Sequence, residues 1–196
     1  MDRSRVTQLH YITPINNLAS IMQHGILSHN RAASLNHESI ADESVQDRRA
    51  DKRVPGGLML HDYVNMFFHA RNSMMYRRLN HRTSLAVICV NPTVLDIENA
   101  VVTDGNAASP STTFWPSPSG LAALDADFIY AESWDHAESW IKHERKRRRS
   151  AEVLVPNVVP PSYVFGCYVY SDDVIVKCNQ LCSAIKVKVH QHVFFA

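Results

Sequence analysis

The chain has 196 residues, 45% of them hydrophobic and 20% charged, with a formal net charge of +1. That is the mix of an ordinary globular domain, which excludes a disordered or low-complexity chain, and the length suits one well-buried core, so a single domain over residues 1–196 is expected. No apolar run reaches about 18 residues, the length a spanning helix needs, and Met1-Asp2-Arg3-Ser4-Arg5 opens onto no apolar h-region, so a cytoplasmic protein is expected.

The first element predicted is a strand, Gln8 to Ile12, with Thr13-Pro14 as a helix start. Ile15, Leu18, Ile21 and Met22 then recur at helical spacing, and Gly25 stops the helix. Ser28 to Val54 is polar, of mixed charge and without a clear period, which predicts a long loop with short helical pieces. After the turn Pro55-Gly56-Gly57, the aromatic and Met content of His61 to Met75 suits a buried helix or turn. Ser84 to Val90 is a core strand by its continuous apolar run, Asn91-Pro92-Thr93 breaks it, and Val94 to Ile97 begins the next element. Thr103 to Gly120 has loop chemistry, being rich in Asp, Gly, Asn, Ser, Pro and Thr. Ala131 to His143 is predicted helical, with Trp134, Ala137 and Trp140 on one face. Strands follow at Glu152–Val155, Tyr163–Tyr170 and Ala184–Val189, and Ser171-Asp172-Asp173 is a helix start between the last two. The pattern describes an α+β domain with a mainly antiparallel central sheet and peripheral helices.

Cys89 and Cys167 lie inside apolar runs, and Cys178 and Cys182 are four apart, a spacing of neither a redox motif nor a zinc ribbon. Reduced structural thiols are expected. His190-x-His192 has no further ligands clustered with it in sequence, so no metal is expected. The near-zero net charge hides one asymmetry. Lys142 to Arg149 holds six positive charges against one negative and runs directly into the apolar Val153-Leu154-Val155. Such a block is most often a solvated face, but beside a core strand it makes an anion-binding edge plausible, with nucleic-acid phosphates as natural ligands.

Glu152, at the start of a strand and just after those cations, is expected to stay ionised, to hold a fixed direction and to sit exposed at the strand end. Its candidate partners lie upstream: His10-Tyr11-Ile12-Thr13, Asn17-Leu18 and His24-Gly25-Ile26-Leu27, then Arg48-Arg49 before Val54-Pro55-Gly56-Gly57, then His61-Asp62-Tyr63-Val64 and the run from Arg71 to Tyr76. Read singly, each is weak. In this order, with Val102-Thr103-Asp104-Gly105, Arg148-Arg149-Ser150-Ala151-Glu152-Val153-Leu154-Val155-Pro156 and Val169-Tyr170-Ser171 following, they resemble the DarT family, the DNA ADP-ribosyltransferase toxins of DarT–DarG toxin–antitoxin systems. The resemblance covers residues 8 to about 176, and the His-Asp-Tyr-Val and Ala-Glu-Val-Leu-Val segments are its most specific parts.

The resemblance implies an ADP-ribosyltransferase-like fold and a toxin that transfers ADP-ribose from NAD to a thymidine or guanosine base in single-stranded DNA. NAD serves as co-substrate, no metal is implied, and the implied partner is a macrodomain-type, DarG-like antitoxin. It places Glu152 at the catalytic glutamate, Arg48 at an arginine serving catalysis and NAD binding, and Tyr11, Ile12, Thr13, Ser20 and Ser28 at NAD contacts. It also makes the segment from about Asn106 to Glu152 the loop that reads the target. The family's opening reads Tyr-His-Ile-Thr, so Tyr11 here stands at the usual histidine position. Arg145, Lys146, Arg147, Arg148 and Arg149 are the expected DNA contacts, and Phe114 and Trp115 are candidates for stacking on bases. Two other readings stay open: an ADP-ribosyltransferase acting on RNA or protein, and an inactive module that only binds NAD or nucleic acid.

Overall fold

The computed structural model describes residues 1–196. In chain order the strands are β1 (Leu9–Pro14), β2 (Ile26–Leu27), β3 (Tyr63–Phe67), β4 (Leu85–Val90), β5 (Val101–Thr103), β6 (Phe114–Pro116), β7 (Glu152–Pro156), β8 (Val158–Val159), β9 (Val164–Val169) and β10 (Val187–Val189). The α-helices are α1 (Leu18–His24), α2 (His29–Ala32), α3 (Glu43–Ala50), α4 (Ser73–Arg77), α5 (Ala126–Ile129), α6 (Ser139–Arg148) and α7 (Asp172–Leu181). Eight strands form one sheet in the order β10-β9-β4-β1-β3-β7-β5-β6, and β2 pairs with β8 apart from it. All pairings are antiparallel except β9 with β10, so the α+β architecture with peripheral helices is as the sequence pattern indicates.

Strand periodicity decides which side chains meet. Ala86, Ile88 and Val90 of β4, Val64 and Met66 of β3, and Val153 and Val155 of β7 join the main core on one face. The alternate residues Leu85, Val87, Ile12 and Phe67 form a smaller cluster on the other face, and Tyr63 and Leu154 a third. Glu152 alternates with Val153, so it must project opposite the main core. Gly25 closes α1 at φ +87°, and an added Cβ there would lie 2.5 Å from the Val159 carbonyl oxygen. The glycine thus lets β2 turn tightly onto β8.

Three sequence expectations are corrected. The stretch His61 to Met75 holds a central strand, β3, between β1 and β7. Two of its three cavity-facing residues, Tyr63 and Phe67, are aromatic and only Asn65 is polar, so the alternation of polar and apolar residues is weak in the sequence. Ala131 to His143 is not one helix, since α6 begins only at Ser139 and Trp140 is 66% exposed. Ser133 Oγ accepts from the Asp135 N–H, and His136 Nδ1 from the Glu138 N–H. These local bonds compete with helical ones. Phe114–Pro116, expected as loop, pairs with β5.

His10 is buried on β1, and burial pushes its imidazole down from the usual 6.5 to about 4. Burial, reinforced by the charges of Arg149, His10 and Arg71, takes His69 down to about 3. A lowered histidine pKa means that the unfolded chain binds protons that the native state refuses. Stability is therefore expected to be intact above about pH 6.5 and to fall as the pH drops towards 4, by an amount on the order of 3 kcal/mol for His10. Urea midpoints from pH 7 to pH 4 check this: His10→Gln should flatten the slope, and an unchanged slope would refute the assignment.

Candidate active site

β1 and β3 share only the register pair His10↔Phe67, then part. Beyond that point the edge of β1 that faces β3 has no strand partner, although its other edge pairs with β4 through to Pro14↔Leu85. An opened sheet centre presents unpaired backbone groups to whatever fills it. Here a cavity of about 600 Å³ opens, within the range of ligand sites. Tyr11, Ile12 and Thr13 line it from β1, Tyr63, Asn65 and Phe67 from β3, and Glu152 from β7.

Glu152 is fully buried, contrary to the exposed strand end expected from sequence. Its carboxylate accepts from Arg49 Nη1 at 3.1 Å on Oε2 and 3.4 Å on Oε1, and from the Ala107 N–H at 3.0 Å on Oε1. Its own N–H donates to Thr103 Oγ1 at 3.0 Å, and that hydroxyl donates to the Gly105 carbonyl at 2.7 Å. One strand end is thereby tied to the loop after β5 and to helix α3. Arg49 Nη2 is buried and has no hydrogen-bond partner, so one charged donor remains unsatisfied.

Arg48 and Arg49 thus have different places. Arg48 lines the cavity but is exposed, whereas Arg49 is buried and paired with Glu152. The signal for this was in α3: Val45, Gln46 and Arg49 lie on one helical stripe, and Val45 is the helix's only large apolar residue. The preceding polar segment is also tied down. Asn17 bonds Glu38 N–H and C=O at 3.0 and 2.8 Å and Thr13 Oγ1 at 3.1 Å. Arg78 reaches the Ile40 carbonyl, and Arg77 pairs with Asp42. His61, of the His-Asp-Tyr-Val motif, and His29 stack on the cavity wall with ring centroids 4.1 Å apart, and His61 Nε2 lies 3.1 Å from Gln46 Oε1. Ser20 and Ser28 do not line the cavity, and Ser28 is buried.

The basic block is mostly internal structure rather than a free phosphate-binding face. Arg147 pairs with Asp104 and Glu144 at 2.9 Å, and Arg148 pairs with Glu144 at 2.6 Å. Those hydrogen bonds hold the Glu144 carboxyl down at about 2. Arg149 is buried, donating to the Glu132 and Arg71 carbonyls. Arg145 reaches the Asp135 carbonyl at 3.3 Å. Lys146 alone of the five is exposed at the cavity and makes no ion pair. Trp115 packs against the main core and Phe114 lies under Lys52, so neither ring of that loop stands free. No group of three or more metal-ligating side chains assembles, and all four cysteines are free and buried.

Removing one partner of a buried ion pair leaves the other charge uncompensated. Glu152→Ala should therefore destabilise the fold by about 3–5 kcal/mol, far more than an exposed-site change, and Glu152→Gln by less. Arg48→Ala should stay within about 0.5 kcal/mol. Denaturant midpoints for the three variants check this ordering, and equal stability of Glu152→Ala and wild type would refute it.

A family model described as "ssDNA thymidine ADP-ribosyltransferase, DarT" matches residues 10–195. A DNA ADP-ribosyl transferase–DNA ADP-ribosyl glycohydrolase fusion protein of Thermosipho africanus is 32% identical over 176 residues, 87% of this chain, which spans 44% of that relative's length. The solved structure of Thermosipho africanus DarTG in complex with ADP-ribose superposes with a TM-score of 0.83 at 28% identity, over 96% of this chain and 51% of that one. Thermus sp. 2.9 DarT in complex with ADP-ribosylated ssDNA gives a TM-score of 0.82 at 26% identity, over 96% of both chains. The family model over residues 10–195 and the 32% identical relative make the chain a member of the DarT family.

Proposed function

We propose that this chain, acting as one catalytic domain, transfers ADP-ribose from NAD to thymidine in single-stranded DNA and releases nicotinamide. The observation that carries the reading is the Arg49–Glu152 pair in the cavity where β1 and β3 part. A ligand-sized cavity, an unpaired strand edge and a buried guanidinium nitrogen without a partner together suit an elongated, phosphate-bearing substrate.

In the transfer, the bond between the ribose C1′ and the nicotinamide nitrogen breaks, and nicotinamide keeps the electron pair. The ribose becomes oxocarbenium-like, and a carboxylate already fixed by Arg49 and the Ala107 N–H stabilises that positive charge without reorganising. Thymidine's one free ring nitrogen, N3, supplies the pair for the new bond to C1′, and its proton is released. Arg49 is assigned to orient Glu152 and to offer Nη2 to an anionic oxygen of NAD. It is not assigned as the base, because a guanidinium does not give up its proton near neutrality. Arg48, at the rim, is left a supporting contact. Tyr11, Ile12 and Thr13 are assigned to NAD at the opened strand edge.

No helix is long and apolar enough to cross a membrane. A cytoplasmic setting fits the buried free thiols. The fusion relative, which joins a transferase to a glycohydrolase, supports a macrodomain-type antitoxin that removes the modification as partner.

Incubation of the protein with labelled NAD and separate pools of single-stranded DNA, RNA and protein tests the reading. Label on thymidine-containing DNA, located by mass spectrometry, is expected; label only on RNA or protein, or none, would overturn it. Arg49→Ala should raise the NAD dissociation constant about tenfold or more and slow single turnovers, with Arg48→Ala the milder variant. The reverse order would return the role to Arg48. Lys146→Ala should lower the salt slope of oligonucleotide binding by about one, as loss of a single phosphate contact does.

A further inference from the structure

Beside the cavity mouth lies a second constellation that the transfer chemistry does not use. Tyr76, Trp134 and Phe195 form a closed triangle with ring centroids 5.3, 5.3 and 5.4 Å apart. Cations lie over two of the rings: Arg149 at 5.0 Å and Lys146 at 5.9 Å from Trp134, and Arg71 at 4.7 Å from Phe195. Tyr76 is 52% exposed, although its ring is packed by both neighbours. One carboxylate, Glu132, approaches this edge, 3.9 Å from Arg71. Against it stand Arg71 and Lys146, with Arg149 buried beneath Trp134, so the edge keeps a cationic balance.

The triangle is continuous with the catalytic cavity. Tyr76 belongs to α4, whose Ser73, Met74 and Arg77 line the cavity, and Lys146 both lines the cavity and covers Trp134. The Ser150 hydroxyl, two residues before Glu152, meets the Ser73 hydroxyl at 3.3 Å, which fixes α4 against the end of α6. A half-exposed aromatic surface set in cations is a poor fit to water and a good one to a nucleobase with its phosphate. Because the ring is already packed on two sides, little rotamer freedom remains to be lost when a base stacks on it.

We propose that Tyr76, held by Trp134 and Phe195, stacks a base flanking the target thymidine, while Lys146 meets the intervening phosphate. Tyr76 is thus a substrate-positioning residue that sets how much neighbouring strand the enzyme needs. The inference rests on the single-stranded DNA reading above.

The test uses the full chain, NAD and thymidine-containing oligonucleotides lengthened one nucleotide at a time on either side of the target. For wild type, KM should fall about tenfold when one particular flanking base is added, the gain of one base–aromatic stack. Replacing that base by an abasic residue should abolish the gain. Tyr76→Ala should lose the same gain with kcat and NAD affinity unchanged, and should be indifferent to the abasic substitution. Tyr76→Trp, which keeps a stacking face, should restore the sensitivity and guards against simple misfolding. If Tyr76→Ala still responds to the abasic residue as wild type does, the platform assignment fails while the DNA reading stands. If wild type modifies no oligonucleotide, both fall.

Discussion

A buried charge needs a partner, and in this chain that need is met across 103 residues by Arg49 and Glu152. The sheet brings the carboxylate to the opened strand edge, because β7 lies between β3 and β5 and its first residue faces away from the main core. Helix α3 is poor in apolar residues, so it has little hydrophobic area with which to hold itself there. The ion pair supplies the anchor that packing does not. Such a pair adds little net stability against an apolar alternative, yet it is costly to break. That asymmetry suits a site in which direction matters more than stability: the carboxylate cannot rotate, and the guanidinium is left with a donor unspent.

How much of this could be read in the sequence depends on whether each signal is local. β4 and β7 were visible as apolar runs, because both faces of β4 and most of β7 are buried. Helix α7 was visible from Ser171 before it and from its acidic first turn, Asp172 and Asp173. β3 was not, because Val64 and Met66 serve the core while Tyr63 and Phe67 serve the cavity side, and Asn65 alone marks the alternation. The contact of Arg49 with Glu152 was hidden for the opposite reason. A helical stripe through Val45 pointed to Arg49, but an adjacent pair of identical side chains reads as solvated until the distant carboxylate is placed. Trp134 was assigned to a helix on spacing alone, whereas Ser133 and His136 commit their backbone neighbours to local bonds instead.

The basic block shows why counting charges along a chain misjudges a surface. Glu144 sits where one turn of α6 brings Arg147 and Arg148 against it, and Asp104 reaches Arg147 from the loop after β5. These pairs fasten α6 to the segment carrying the Ala107 N–H, so they serve the oxyanion side of Glu152 more than any polymer outside. Arg149 is spent on two backbone carbonyls, and burial lowers its pKa to about 10, which a solvated phosphate clamp would not show.

Affinity for a strand must then come from something other than a basic stripe. Besides Arg48, Lys146 is the one exposed, unpaired cation lining the cavity, so phosphate contact positions the strand but does not hold it tightly at cellular salt. Stacking is much less sensitive to salt and tolerates any base, and the aromatic triangle stands where that cation ends. A base must also leave its neighbours to reach Glu152, and this is cheap only where no complementary strand holds it. The depth of the carboxylate, the scarcity of free charge and the exposed ring beside it are therefore parts of one constraint. Each favours a flexible single strand whose bases are already available, over a duplex recognised through its phosphates.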